Sequence, residues 1–349
     1  MSETTHSPGM VGRPSGSSAG SNGRGSLGKL LGQLVRQRES TVFVIAVASF
    51  IGFWLANSSF VGKASLSDTF NNTFPAIIII ALGEVLLLIC GEIDLSVGFM
   101  VGFTPFMTYF LTTYYHVPAL LAILIGLLLG VVVGWVNGFL TVTVGLPSFI
   151  TTLGTGFVLW GVMLYTSHAE PVAPVPPSLA RYGSWIGGGN KYSWLIWAVV
   201  LTVIFHILLT RTRWGLHTVS VGGNLLGSQE AGISVARIKY GNFMFTGVLG
   251  ALVGLQTMYY VNTIDPNSAS YTPMFNAVTA AVIGGTAMLG GSGTIVGAFF
   301  GAIVLANLST GFAIEGVSAN LLYVIDGAAI LIAMVANVQL ARLRERGGR

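Results

Sequence analysis

The sequence predicts an all-α polytopic membrane protein of about ten transmembrane helices with both termini cytoplasmic. Three observations carry that prediction: the composition, the recurrence of apolar runs and the placement of the basic residues. The chain has 349 residues, 53% of them hydrophobic and only 8% charged, where a soluble domain carries about 25% charged residues. Most of it must therefore face lipid. At about 20 apolar residues per span, this length holds roughly eight to eleven spans.

Residues 1–40 are rich in Gly and Ser, carry Arg13, Arg24, Lys29, Arg36 and Arg38, and contain no apolar run long enough to bury. They read as a disordered basic cytoplasmic tail. The next stretch, TVFVIAVASFIGFWLAN at 41–57, is followed by no small-x-small cleavage site. It reads as a retained first helix, not a signal peptide. Nine more candidate spans follow at 74–90, 97–115, 118–140, 148–166, 193–209, 242–260, 276–289, 295–311 and 319–337. The segments at 276–289 and 295–311 are short and interrupted by glycine, so a re-entrant course is the alternative for both. Residues 341–349 form a second basic tail, which leaves 41–340 as the membrane domain.

Basic residues favour the cytoplasmic side of a span. With ten spans, five bases in the first tail, four between 210 and 241 (Arg211, Arg213, Arg237, Lys239) and four at the C-terminus lie inside, against Lys63, Arg181 and Lys191 outside. An odd number of spans would put one basic terminus outside. The same topology places the proline-rich segment 167–192 outside, and its length invites a docking role.

Glycines recur every four residues at 126, 130, 134 and 138, and again at 293, 297 and 301. Such ridges let helix backbones approach closely where lipid supplies no hydrophobic drive between helices. The five histidines are dispersed and Cys90 is the one cysteine, so no metal or cofactor site is expected. Nothing in the pattern points to nucleic acid. The glycine-rich run 284–301 has no Lys after its last glycine, and no Lys or Arg occurs between Lys239 and Arg342. A phosphate-binding loop needs that lysine, so the chain is expected not to hydrolyse a nucleotide and not to be an enzyme. Glu84 and Asp326 are the two acids inside expected spans, and intramembrane carboxyls mark either proton relays or hydrogen-bonded structural acids. A proton-coupled secondary transporter using one of them is the alternative reading.

Three motifs, GEIDLSVG at 91–98, VGGNLLGSQEAGI at 221–233 and AAVIGGTAMLGGSGTIVGAFFGA at 280–302, together resemble the permease subunits of ribose-type sugar importers of the ATP-binding cassette (ABC) class, whose family includes xylose, galactose and autoinducer-2 systems. The resemblance runs over about 41–340 in the family's order and spacing. It implies a bacterial inner-membrane permease that pairs with a second copy or paralogue and translocates a monosaccharide or related solute by alternating access. Its implied partners are an ATPase with two nucleotide-binding domains inside and a sugar-binding protein outside. Carried over by position, Gly222, Gly223, Asn224, Glu230, Ala231, Gly232 and Ile233 belong to the loop that couples to the ATPase. Ile93, Asp94, Leu95, Ser96 and Gly98 match the first motif, and Gly284, Gly285, Gly290, Gly291, Gly293 and Thr294 match the late glycine motif. The chain departs from the family's usual residues at Glu92, Ala287, Met288 and Ser292, and at Thr272, Pro273 and Met274 after Tyr271.

From the residues themselves, LLGSQEAGI is expected to form a short helix ending near Gly232. Asp94 and Ser96 sit before the third span, where they can cap its open N–H groups. Asn137, Thr151, Thr152 and Gln256 are polar residues within spans and are candidates for the solute pathway.

Overall fold

The protein is described as a computed structural model covering residues 38–186, 192–266, 269–318 and most positions from 320 to 339. Among these residues the secondary structure is helical apart from one isolated antiparallel bridge, Val172 with Ile264. In hydrocarbon an unpaired N–H or C=O has no water to bond, and a helix satisfies its own backbone.

The helices are α1 (Arg38–Ala56), α2 (Lys63–Ile89, with a π-helical stretch Thr69–Thr73), α3 (Val97–Tyr114), α4 (Ala119–Thr143) and α5 (Ser148–Ser167). Two short helices follow, α6 (Pro177–Ala180) and α7 (Gly183–Ile186). Then come α8 (Ser193–Arg211), α9 (Arg213–Gly223), α10 (Leu225–Glu230), α11 (Val235–Val261), α12 (Thr272–Ile283) and α13 (Ile295–Ile314).

Seven of these, α1, α2, α4, α5, α8, α11 and α13, are long and apolar enough to cross a membrane. The two remaining expected spans within the described residues differ for physical reasons. Helix α3 contains Pro105 and a run of threonines, and Thr108 and Thr112 return their hydroxyls to the carbonyls of Thr104 and Thr108 at 2.8 Å. It packs between α4, α5 and α11. Helix α12 has 12 residues, about 18 Å of rise, too short for a core of about 30 Å. The expected span 276–289 thus stops at Ile283, because Gly285, Gly290 and Gly291 take left-handed backbone (φ +87°, +91° and +81°). By contrast, α13 runs 20 uninterrupted residues. The expected span 319–337 lies partly outside the described residues, and the tails 1–37 and 341–349 lie wholly outside.

Helix α2 is the axis of the bundle. Its apolar stretch is 83% buried, against 11% for α1 and 28% for α5 and α8. Those three, with one face of α4, present the exposed Phe43, Leu124, Phe149 and Ile204 outward. Around α2 stand α8, α11, α12 and α13, and the most extensive helix pairing is α4 with α11.

Both glycine ridges lie on helix seams, and in each the central glycines face another helix's backbone. On the α4–α11 seam, Gly130 and Gly247 face each other so closely that a Cβ on either would enter the other's backbone. Gly134 lies against the backbone of Phe243 and Met244, and Gly138 against Tyr240. On the α12–α13 seam Gly297 meets Gly284, and Gly301 meets Ala280.

Between α8 and α11 the expected short helix is α10, ended by Gly232 at φ +78°. The sequence reading did not foresee α9, nor that α11 starts at Val235 instead of near 242.

Replacing Gly130 with Leu should lower stability by about 2 kcal/mol or more, since overpacking a close seam forces the backbones apart. Gly154→Ala, at a helical position with nothing within 4 Å of the added carbon, should be neutral. Thermal unfolding of the detergent-solubilised variants reads the difference.

Candidate functional site

The three motifs converge on one end of α2. Ile89 closes that helix, and the chain turns back through Gly91 N–H to Leu88 O and Glu92 N–H to Leu87 O, both 2.9 Å. Gly91 takes φ +75°, the left-handed residue that ends many helices. Residues 93–96 then dip into the bundle.

Asp94 is fully buried there. Its Oδ1 accepts the Ser96 N–H at 2.8 Å and the Ser96 hydroxyl at 2.6 Å. Asn137 of α4 donates Nδ2 to both Asp94 oxygens at 3.3 Å and to Ser96 Oγ at 2.8 Å. Thr155 donates to Asn137 Oδ1 at 2.7 Å. The backbone of the same turn is held by α5: Leu95 N–H donates to Thr152 Oγ1 at 3.0 Å, and Ile93 N–H to Ser148 Oγ at 3.4 Å. Ser96 is the N-cap residue of α3 but its side chain does not cap the helix; Asp94 holds Ser96 instead, is walled in, and through Asn137 and Thr155 links the start of α3 to α4 and α5. Burial pushes its carboxyl up to about 6, against the pull of the Ser96 and Asn137 hydrogen bonds.

Glu84 lies beneath, fully buried, with Oε2 3.5 Å from the Asp94 N–H and Oε1 without a hydrogen-bond partner. Asp326 falls outside the described residues. Of the four pathway candidates, Asn137 and Thr152 belong to the Asp94 cluster. Thr151 Oγ1 is buried without a partner. Gln256 is remote from these, bonding Ile186 O at 3.1 Å.

Below the turn, three segments share backbone contacts. Gly291 N–H donates to Ile89 O at 2.8 Å. A Cβ on Gly222 would run into that same carbonyl and Gly291 N, and one on Gly290 would crowd Gly222 O. A side chain at Gly222 would displace all of them. Asn224 then caps α10 by accepting Gly227 N–H at 2.8 Å, and Ile233 N–H closes the loop on Ser228 O at 2.9 Å. Glu230, Ala231 and Gly232 are exposed. In the late motif Gly285 N–H returns to Val282 O at 2.9 Å. Gly293 lies against Thr286 and Ile89, and Thr294 caps α13 by accepting Gly297 N–H at 3.0 Å. Gly98 sits beside Ser270 O, where a Cβ would collide with that carbonyl.

Side chains reinforce the joint, and sequence reasoning missed them. Asn242 of α11 donates to Leu86 O and Cys90 Sγ, both 3.3 Å, and accepts Trp214 Nε1–H of α9 at 2.9 Å. Cys90 is buried and packs with Val221 and Ile238. Glu92 pairs with Lys239 of α11. An asparagine within the apolar run of α11 was the available signal, since a buried amide in such a setting needs partners.

Over residues 66–334 the chain matches the family described as "Branched-chain amino acid transport system / permease component". It is 34% identical over 317 residues to the xylose/arabinose import permease protein of Sulfolobus acidocaldarius, covering 88% of this chain and 87% of that one. The autoinducer 2 import system permease protein of Klebsiella pneumoniae is 32% identical over 79% of each chain. The ribose import permease protein of Bacillus subtilis is 31% identical over 57% of this chain and 62% of that one. No solved structure matches.

Asp94→Ala should cost about 2 to 3 kcal/mol by stranding the Ser96 and Asn137 donors. Because the Asp94 carboxyl is raised from 3.8 to about 6, its contribution to stability is fully present below pH 3.8 and lost as pH rises through 6. Asp94→Asn should flatten the fall in unfolding temperature over that window; an unchanged pH slope would assign the titration elsewhere.

Proposed function

Since the chain belongs to the branched-chain amino acid transport system / permease component family, we propose that it is the membrane subunit of an ABC importer that moves a monosaccharide or related small polar solute by alternating access. It is a multi-pass inner-membrane permease of the sugar-transport type. In the proposed reading it spans the membrane about ten times with both termini cytoplasmic and pairs with a second copy or paralogue. A partner ATPase with two nucleotide-binding domains binds inside, and a sugar-binding protein docks outside.

The observation that carries this reading is the backbone joint at Ile89. Helices α9 and α10 project from the end of the bundle that carries Arg211, Arg213, Arg237 and Lys239, the side that basic residues favour facing the cytoplasm. A push on α10 travels through Gly222 to Ile89 O and Gly291 N–H without passing through a flexible side chain. From there it reaches α2, the loop between α12 and α13, and the Asp94 cluster that ties α3, α4 and α5. The named solutes of the relatives, xylose/arabinose, ribose and autoinducer 2, support a small polar cargo. Asn137 and Thr152 serve the cluster in this reading, while Thr151, with a buried free hydroxyl, remains a pathway candidate.

Gly232→Val, or deletion of 222–233, should abolish ATPase assembly or coupled uptake while the protein still inserts in the membrane. Normal uptake by the deletion would overturn the coupling role. Vesicles holding this chain alone should show no uptake driven by a proton gradient; such uptake would favour the reading that rests on Glu84 or Asp326.

A further inference from the structure

Leu289 is 91% exposed at the tip of the turn between α12 and α13. That turn is braced by its own backbone. Ala287 N–H donates to Ser292 O at 2.8 Å, Gly290 N–H to Ala287 O at 3.3 Å, and Gly291 N–H to Ile89 O at 2.8 Å. The left-handed Gly290 and Gly291 fix its course, so the leucine is held outward. An irregular, solvent-open turn does not lie within hydrocarbon, so lipid tails do not explain its exposure.

On the far side of Gly290 and Gly291 stand Gly222 and Gly223, one residue before Asn224 and α10. There Leu225 is 45% and Leu226 70% exposed. Three exposed leucines therefore lie on two distant segments whose backbones meet at Gly222, Gly223, Gly290 and Gly291. The same loop carries exposed Arg213, Glu230 and Arg237. Exposed leucines and exposed charges on one connection match the composition of a protein interface.

We propose that Leu289 is a second contact for the partner ATPase, so that the late glycine turn and α10 dock as one surface. This rests on the reading of the chain as an ABC permease, and the occupant is argued from the continuity of the turn with the coupling loop. The turn would then report the ATPase state directly to α12 and α13, in parallel with the route through α10.

The test is cross-linking in the assembled permease–ATPase complex, with Leu289→Cys and Leu226→Cys as separate variants. Each carries a photoactivatable maleimide; buried Cys90 stays in place and the unsubstituted chain is the labelling control. Both variants are expected to cross-link to the ATPase. Should Leu226→Cys reach the ATPase while Leu289→Cys reaches only lipid or a second permease copy, the inference is overturned and the permease reading stands. If no ATPase assembles or cross-links with either variant, the permease reading falls and the inference with it. Leu289→Asp should cut recovery of copurified ATPase by about tenfold at unchanged membrane abundance, as loss of an interface anchor does; unchanged recovery would count against the proposal.

Discussion

The carbonyl of Ile89 is the point on which the rest of the arrangement depends. It ends the most buried of the long apolar helices, accepts the Gly291 N–H at 2.8 Å and leaves no room for a Cβ at Gly222. Three segments far apart in sequence meet there through main-chain atoms. Main chain has no rotamers to relax through, so movement of one segment requires movement of the others. That constraint explains why glycine occupies positions 222, 290 and 291: one has no room for a Cβ, and the other two take a backbone conformation that favours glycine.

The same logic extends through the membrane domain. Without a hydrophobic drive between helices, association rests on close packing and on buried hydrogen bonds. The α4–α11 and α12–α13 seams supply the packing, with Gly130 against Gly247 and Gly284 against Gly297. Asn137 and Asn242 supply the polar ties, each an amide that bonds two or more elements. Helices α1, α5 and α8 can then face lipid with little burial, because the inner set α2, α3, α11, α12 and α13 already holds the frame.

Much of this was legible in the sequence, and for identifiable reasons. Apolar runs near 20 residues located the long helices, the four-residue glycine spacing located both seams, and Asn224 with Gly232 delimited α10. What the sequence left open depended on tertiary context. The end of α12 turns on left-handed glycines that an apolar window passes over. The helix before α10, α9, is held by Trp214 and Thr218 against Asn242, contacts with no local signature. Asp94 reads as a helix cap until its burial and its bonds to Asn137 are seen. Glu92, the departure from the family's usual glycine, is matched by Lys239, 147 positions away.

The most direct test is hydrogen–deuterium exchange over 284–294 in the full-length protein. The Gly291 amide should exchange slowly although the neighbouring Leu289 tip is exposed, and Gly222→Ala should remove that protection while leaving exchange within α1 unchanged. Fast exchange at Gly291 in the unsubstituted protein, or protection that survives Gly222→Ala, would contradict a backbone joint at Ile89.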